Sequence, residues 1–305
     1  MITFCYIGFF PDYEKYFFQY AETEGIHAVS FNPMDVTSKI SYFNKLPRFI
    51  RNWYHKKLIQ EYIQAHPDYI YIFNEHRLLL QAIVHYIESK KPFKGHLLIR
   101  NPMSKNEKIH GLLEKLKHFS IQLWSFDHDD CQKYGFHHYS QFLTVLPKIK
   151  NVQINYDLVF IGRNKGRDII LNSLKDKADS VGLSFLIDLK DGTKSSNISY
   201  EDYLEKSLSA RCIVEILQDG QSGMTLRPVE ALFYNRKLLT NNQLVINEPF
   251  YHTSNILVMN DIDTLSVEEL MSFINKPIVQ IDDTIKERYS TAGLLKMLSK
   301  NIENQ

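Results

Sequence analysis

Short apolar runs rich in Val, Ile, Phe and Tyr alternate along this chain with longer stretches of helical periodicity. That alternation is the pattern of βα units, with strands of about four to eight residues joined by crossover helices. In the first half the expected strands are 2–9, 27–31, 68–73, 96–100 and 121–126. Helices are expected near 13–24, 47–65, 77–89 and 105–117. The runs lack clean polar alternation, which predicts parallel strands covered on both faces. After a polar stretch around 148–155 the pattern starts again. Strands are then expected at 156–162, 183–189, 212–217, 237–240 and 255–259, and helices at 168–178, 200–208, 226–234, 267–274 and 283–299. A chain of 305 residues exceeds one ordinary core and suits two of about 150. The α/β reading is therefore two αβα domains, 1–150 and 151–282, with a closing segment 283–305.

Hydrophobic residues make up 44% and charged residues 23%, which is ordinary for a globular protein. No apolar stretch approaches the ~20 residues that span a bilayer. The opening MITFCYIGFF lacks a basic flank and a small-residue cleavage site, so it reads as a first strand and not a signal peptide. Cys5, Cys131 and Cys212 have no CxxC spacing, and two of them fall in expected buried strands. This argues against a zinc site or disulfide framework and for a reducing, cytoplasmic compartment. The net charge of +1 argues against a dedicated nucleic-acid binder. One local run, KLPRFIRNWYHKK, carries Lys45, Arg48, Arg51, Lys56 and Lys57 without an acid, interleaved with Phe49, Trp53 and Tyr54. It reads either as a solvated helix face or as a patch for anionic lipid, which would place the protein peripherally at the inner face of the cell membrane.

Two segments of the second half carry chemistry. In Gly162-Arg163-Asn164-Lys165-Gly166-Arg167 a strand ends, glycines permit a tight turn, and a helix begins near Asp168. Arg163, Lys165 and Arg167 crowd a helix N-terminus, where cations are unfavourable unless an anion joins them. A bound diphosphate resolves that conflict; an exposed basic turn is the bland alternative. The second segment, DGQSGMTLRPVEAL, follows the buried run CIVEIL. The backbone N–H groups of Ser222, Gly223, Met224 and Thr225 are expected to face a phosphate, and Pro228 suits the first helical turn. Arg227 and Glu230 share a helix face, either as a donor-binding pair or as a surface ion pair.

This segment resembles the donor-site signature of GT-B glycosyltransferases, in which two glutamates are separated by seven residues. Glu230 matches the second glutamate, implied to contact the donor ribose; Ser222 replaces the first, and Asn235 stands where the family has a following glycine. The Gly162–Gly166 turn is similar to the family's Gly-Arg…Lys-Gly turn, implying Arg163 and Lys165 as diphosphate ligands. SGMTLRPVEAL also looks like enzymes of lipopolysaccharide, capsule and spore-coat clusters. The resemblance implies a GT-B fold, two Rossmann-like αβα domains facing each other across a cleft, with the last helix crossing back to the first domain. It further implies transfer of a sugar from a nucleotide-sugar donor to an oligosaccharide or lipid-linked glycan acceptor in bacterial surface polysaccharide synthesis. No cofactor and no metal are expected, the nucleotide-sugar being a substrate.

Asp127-x-Asp129 has the spacing of a metal-binding DxD, but acids there also suit a helix start. For a general base, Glu75 and His76 follow the run YIYIF; Asn101 and Asp12 also follow strands. Glu75 is the first choice. Two other readings share the fold: a nucleotide-sugar epimerase or hydrolase, and a non-catalytic nucleotide-binding assembly subunit.

Overall fold

The structure, a computed structural model, describes residues 2–21, 25–119, 121–149, 151–190, 198–217 and 223–302. The chain divides into two compact units, Met1–Ser140 with Thr291–Gln305, and Gln141–Ser290. The first unit is built on β1 (Ile2–Ile7), β2 (Ile26–Phe31), β3 (Ile70–Asn74), β4 (Gly95–Ile99), β5 (Gln122–Ser125) and β6 (His137–His138). The second is built on β7 (Tyr156–Arg163), β8 (Phe185–Lys190), β9 (Ala210–Glu215), β10 (Lys237–Thr240) and β11 (Ile256–Val258).

Their strand orders are β2-β1-β3-β4-β5-β6 and β11-β10-β9-β7-β8, and each pairing is parallel. Both units therefore wind the same way. The second strand lies on one side of the first and the third on the other, so the connections change direction between β1 and β3, and again between β7 and β9. At such a switch point, loops leave the carboxyl ends of neighbouring strands in opposite directions and open a crevice.

Burial explains why the strands read as continuous apolar runs. In the second unit, Leu158, Phe160, Cys212, Val214 and Leu239 form one face, packed with Leu171, Leu174, Leu270 and Phe273 from the helices Asp168–Ser180 and Val267–Asn275. Val159, Ile161 and Ile213 point the other way and are equally buried. The first unit does the same with Cys5, Tyr71, Phe73, Leu97 and Ile99 against Leu79, Leu80 and Ile83 of helix Arg77–Glu88. Gly8 makes this close fit possible: its φ is +127°, and a Cβ there would stand 2.2 Å from Leu79 Cδ2. Helix Val267–Asn275 starts where Ser266 Oγ accepts the Glu269 N–H, in the spacing of an S-x-x-E cap.

The structure corrects several expected boundaries. The helix expected over 283–299 is two, Asp283–Arg288 and Thr291–Ile302. The break falls at Tyr289 because its carbonyl accepts the Leu143 N–H at 3.0 Å, and its hydroxyl donates to Glu248 at 2.5 Å. Those pairings join residues distant in sequence, so helical periodicity could not announce them. The helix expected from residue 105 begins at His110, after two 3-10 turns. The helix Pro33–Thr37 and the short β6 were not expected.

One carboxylate ties three strands of the second unit. Asp157 Oδ2 accepts the Ser184 N–H and Oγ–H, each at 2.9 Å, and Oδ1 accepts Arg211 Nη1–H at 3.1 Å. Burial pushes the Asp157 carboxyl up, but the Ser184 donors and Arg211 outweigh it and hold the group below its ordinary value. A depressed acid contributes stability above its unfolded-state pKa, about 3.9, and loses it as pH falls through the folded value. Asp157→Asn will therefore cost about 2 kcal/mol at pH 7, with the difference from wild type shrinking below about pH 4. Urea unfolding at both pH values checks this; an equal difference at both would refute the charge argument.

Candidate active site

Both switch points carry functional groups. At the second, β7 runs into Gly162-Arg163 and the adjacent β9 ends on Glu215. Arg167 stands immediately before helix Asp168–Ser180, and Arg227 is the second residue of helix Leu226–Phe233. Both guanidinium carbons lie near the Phe160 ring, at 5.7 Å for Arg167 and 5.4 Å for Arg227. Arg227 Nη2 donates to the Ile161 carbonyl at 2.7 Å. A Cβ at Gly162 would stand 3.1 Å from that nitrogen, so the glycine leaves room for Arg227 to cross the end of β7.

The charges are in conflict. Burial, and then the charge of Arg227, pulls the Arg167 guanidinium below its ordinary value. Burial opposes Arg227 too, but Tyr203, Glu215 and Glu230 outweigh it and hold Arg227 above its ordinary value. Two guanidinium groups beside two helix N-termini are an arrangement that an anion relieves.

Fixed acids set this geometry from beneath. Glu215 is fully buried; it accepts the Thr240 hydroxyl at 2.6 Å and the Thr225 hydroxyl on its other oxygen. Thr225 is in turn the N-cap, its Oγ1 accepting the Arg227 N–H at 3.2 Å. Glu230 is 1% exposed, and its oxygens accept Tyr200 Oη–H at 3.0 Å and Tyr203 Oη–H at 2.9 Å. Burial raises the Glu230 carboxyl while Arg227 and the tyrosines lower it, leaving it above its ordinary value.

The first turn is shaped by Asn164, whose Oδ1 accepts the Arg167 and Asp168 N–H groups, both at 3.1 Å. Lys165 has φ +48° and Gly166 φ +79°, so two successive left-handed residues turn the chain into the helix. Arg163 and Lys165 are exposed. The structure thus brings Arg167 and Arg227 together, with Gly223, Met224 and Thr225 leading into the helix of Arg227. Ser222 lies outside the described residues. Glu230, expected to contact the donor ribose, is covered by the tyrosines of helix Tyr200–Leu208. Asn235 has φ +50°, the left-handed residue that follows helix Leu226–Phe233.

At the first unit's switch point there is a cavity of about 790 Å³. Phe9 and Pro11 follow β1, Asn74, Glu75 and His76 come at the end of β3, and Arg100 and Asn101 follow β4; all line it. Its size is typical of small-ligand sites, about 300–1,000 Å³. Glu75 is held from two sides: Oε1 accepts Asn101 Nδ2–H at 2.7 Å and Oε2 the Arg100 N–H at 3.0 Å. The His76 ring lies against Phe9 at 4.5 Å, and partial burial lowers its pKa below the ordinary value. Deeper, Arg100 Nη1 pairs with Glu14 Oε1 at 2.9 Å, Tyr6 donates to Glu14, and Arg100 lies 5.8 Å from the Tyr13 ring. Burial, Glu14 and Glu75 push the Tyr13 hydroxyl up to about 12, Arg100 opposing.

Asp127 is accounted for as an N-cap: its Oδ1 accepts the Asp129 and Asp130 N–H groups at 3.0 and 3.2 Å. Asp130 accepts the Met103 N–H at 2.8 Å. Sequence reasoning missed Glu215, Glu14, Arg100 and the two tyrosines. A charged residue inside the apolar run CIVEIL was the one available signal for Glu215.

No family model and no curated protein matches the sequence. Solved structures do match the fold. A UDP-GlcNAc 2-epimerase from Methanocaldococcus jannaschii aligns with TM-score 0.57 at 12% identity, over 98% of this chain and 100% of that one. The fold is of the GT-B type. The apo lipopolysaccharide outer core galactosyltransferase WaaB aligns at 0.55 and 11% identity, over 99% of both chains. A UDP-GlcNAc 2-epimerase from Neisseria meningitidis bound to UDP-GlcNAc aligns at 0.56 and 11%, over the whole of both. The two parallel units with helices on both faces are thus the Rossmann-like pair of this fold class.

Proposed function

We propose that the chain is a glycosyltransferase that moves a sugar from a nucleotide-sugar donor to a surface-glycan acceptor. The observation that carries this is the convergence of Arg167 and Arg227 on Phe160 at the switch point of the second unit. Their charge suits a diphosphate, and it matters most as the diphosphate leaves and its negative charge grows. Arg163 and Lys165, exposed on the same turn, add positive charge around it. Glu230 and Glu215 act through Arg227, by setting its position and charge.

The first unit supplies the acceptor cavity. Phe9 and Tyr13 give apolar faces against which a sugar ring packs, and Asn74, Asn101 and Asn106 supply amides for its hydroxyls. Arg77 and Lys108 also line the cavity, which suits an acidic or phosphate-linked glycan. In the transfer, the acceptor oxygen bonds to the anomeric carbon, the bond to the diphosphate breaks, and the hydroxyl proton passes to a base. His76 fits that role: it lines the cavity, and its lowered pKa keeps the imidazole neutral near pH 7.

Solved neighbours named as UDP-GlcNAc 2-epimerases favour keeping one second reading, isomerisation of the same class of donor without an acceptor. Calorimetric titration against a panel of nucleoside mono- and diphosphates and their sugars tests the shared part. Diphosphates should bind at least about tenfold tighter than monophosphates, one added charge-assisted contact being worth about 1.5–3 kcal/mol. Binding with no diphosphate preference would remove the donor assignment. Product analysis then separates the readings: an epimerised donor in the absence of any glycan would replace transfer by isomerisation.

A further inference from the structure

Among the described residues, fifteen large hydrophobic side chains are exposed, and seven of them fall in the twenty-residue stretch from Met34 to Trp53. Single exposed hydrophobics are ordinary, whereas a contiguous set marks a contact surface. Tyr42 is 71% exposed, Phe49 73% and Trp53 61%. Phe49, Trp53 and Lys57 stand four residues apart and so share one face of helix Arg48–Ala65.

The stretch is also firmly held. Phe43 is buried and packs against Tyr54 and His55, Thr37 Oγ1 lies 3.1 Å from His55 Nε2, and Ile59 and Ile63 sink the far side of the helix into the core. The exposed rings are therefore carried on a rigid platform.

Charge selects the occupant. From Val36 to Gln60 there are six Lys and Arg residues and no Asp or Glu. The flanking acids are Asp35, paired with Lys15 at 3.2 Å, and Glu61, 3.6 Å from Lys57, which leaves the stretch a net cationic surface. Lys45, Arg48 and Lys57 are exposed, while Arg51 and Lys56 are partly covered. Lys45 lies over the Tyr42 ring at 4.6 Å and Lys57 over Trp53 at 5.6 Å, so two of the exposed rings each carry an ammonium group. A second copy of this face would meet it with like charge. A bilayer with anionic headgroups offers both what the cations need and an apolar layer for the rings. We infer that Tyr42, Phe49 and Trp53, with Lys45, Arg48 and Lys57, dock the first unit on an anionic lipid surface. This rests on the patch alone and stands apart from the transferase reading.

Co-sedimentation of the full chain with vesicles tests it, using phosphatidylcholine alone and phosphatidylcholine with phosphatidylglycerol. Binding is expected only to the phosphatidylglycerol vesicles, weakening with salt. Phe49→Ser with Trp53→Ser should weaken it at least about tenfold, and each of Lys45→Gln, Arg48→Gln and Lys57→Gln about fivefold. Ile169→Ser, at an equally exposed hydrophobic of the second unit, should leave it unchanged. Trp53 fluorescence should shift to the blue on binding, because the other tryptophan, Trp124, is already 3% exposed. Circular dichroism confirms that the variants fold. Wild-type binding by the double serine variant, equal binding to both vesicles, or absence of binding at low salt would overturn the inference. So would a dimer that Trp53→Ser dissolves in a protein that ignores vesicles, which would assign the patch to a second copy.

Discussion

Arg227→Ala will weaken nucleoside diphosphate binding by about ten- to a hundredfold and lower turnover by a further factor of about 10². The two effects have separate origins. Binding falls because one of two converging guanidinium groups is lost from the end of β7. Turnover falls further because the lost charge would have faced a diphosphate that becomes more negative as it leaves. Arg227→Lys should lie between, since an ammonium keeps the charge but has no planar fork to hold the Ile161 carbonyl and a phosphate together.

Arg227 is also structural, so a variant that leaves the guanidinium in place is needed. Gly162→Ala places a methyl 3.1 Å from Nη2 and moves the group by a few tenths of an ångström without deleting it. A several-fold loss of diphosphate affinity with an unchanged melting temperature would separate positioning from folding. Calorimetry on the three variants decides the point. A dissociation constant for Arg227→Ala within about threefold of wild type would remove the arginine from the donor site.

The contrast between Arg227 and Glu230 shows what the sequence could carry. Helical spacing places both on one side of helix Leu226–Phe233, and the crowding of cations around Gly162 signals an anion before any fold is known. Spacing says nothing of what covers that side. Tyr200 and Tyr203 arrive from another helix, so Glu230 is sealed while Arg227 reaches the end of β7. Strand order is hidden for the same reason. Local pattern finds β1 and β7, but pairing with β3 and β9 depends on residues about 50 or more positions away in each case. Without that order, Glu75 and His76 are two polar residues after a strand. With it, they stand at a switch point beside Phe9, in one cavity with Arg100 and Asn101. Glu14 illustrates the extreme case, an acid in an ordinary amphipathic helix whose partner, Arg100, lies 86 positions further on.

Within that cavity the larger effect belongs to His76. His76→Asn will lower kcat by about 10²–10⁴ at pH 7 and leave diphosphate affinity unchanged, as removal of a general base should. A neutral imidazole accepts the acceptor's proton; a protonated one cannot. Partial burial lowers the His76 pKa, so the wild-type rate should fall on acidification with an inflection below about 6.5, and the asparagine variant should lose that limb. Glu75→Gln makes the necessary comparison. Its carboxylate accepts from both Arg100 and Asn101, so a glutamine must turn an amide N–H₂ toward one of those donors and disturb the β4 loop. That variant should raise KM for the acceptor as well as lower kcat, while keeping the acid limb. If Glu75→Gln instead abolished the limb and His76→Asn retained it, the proton would go to the carboxylate, and His76 would be only part of the cavity wall.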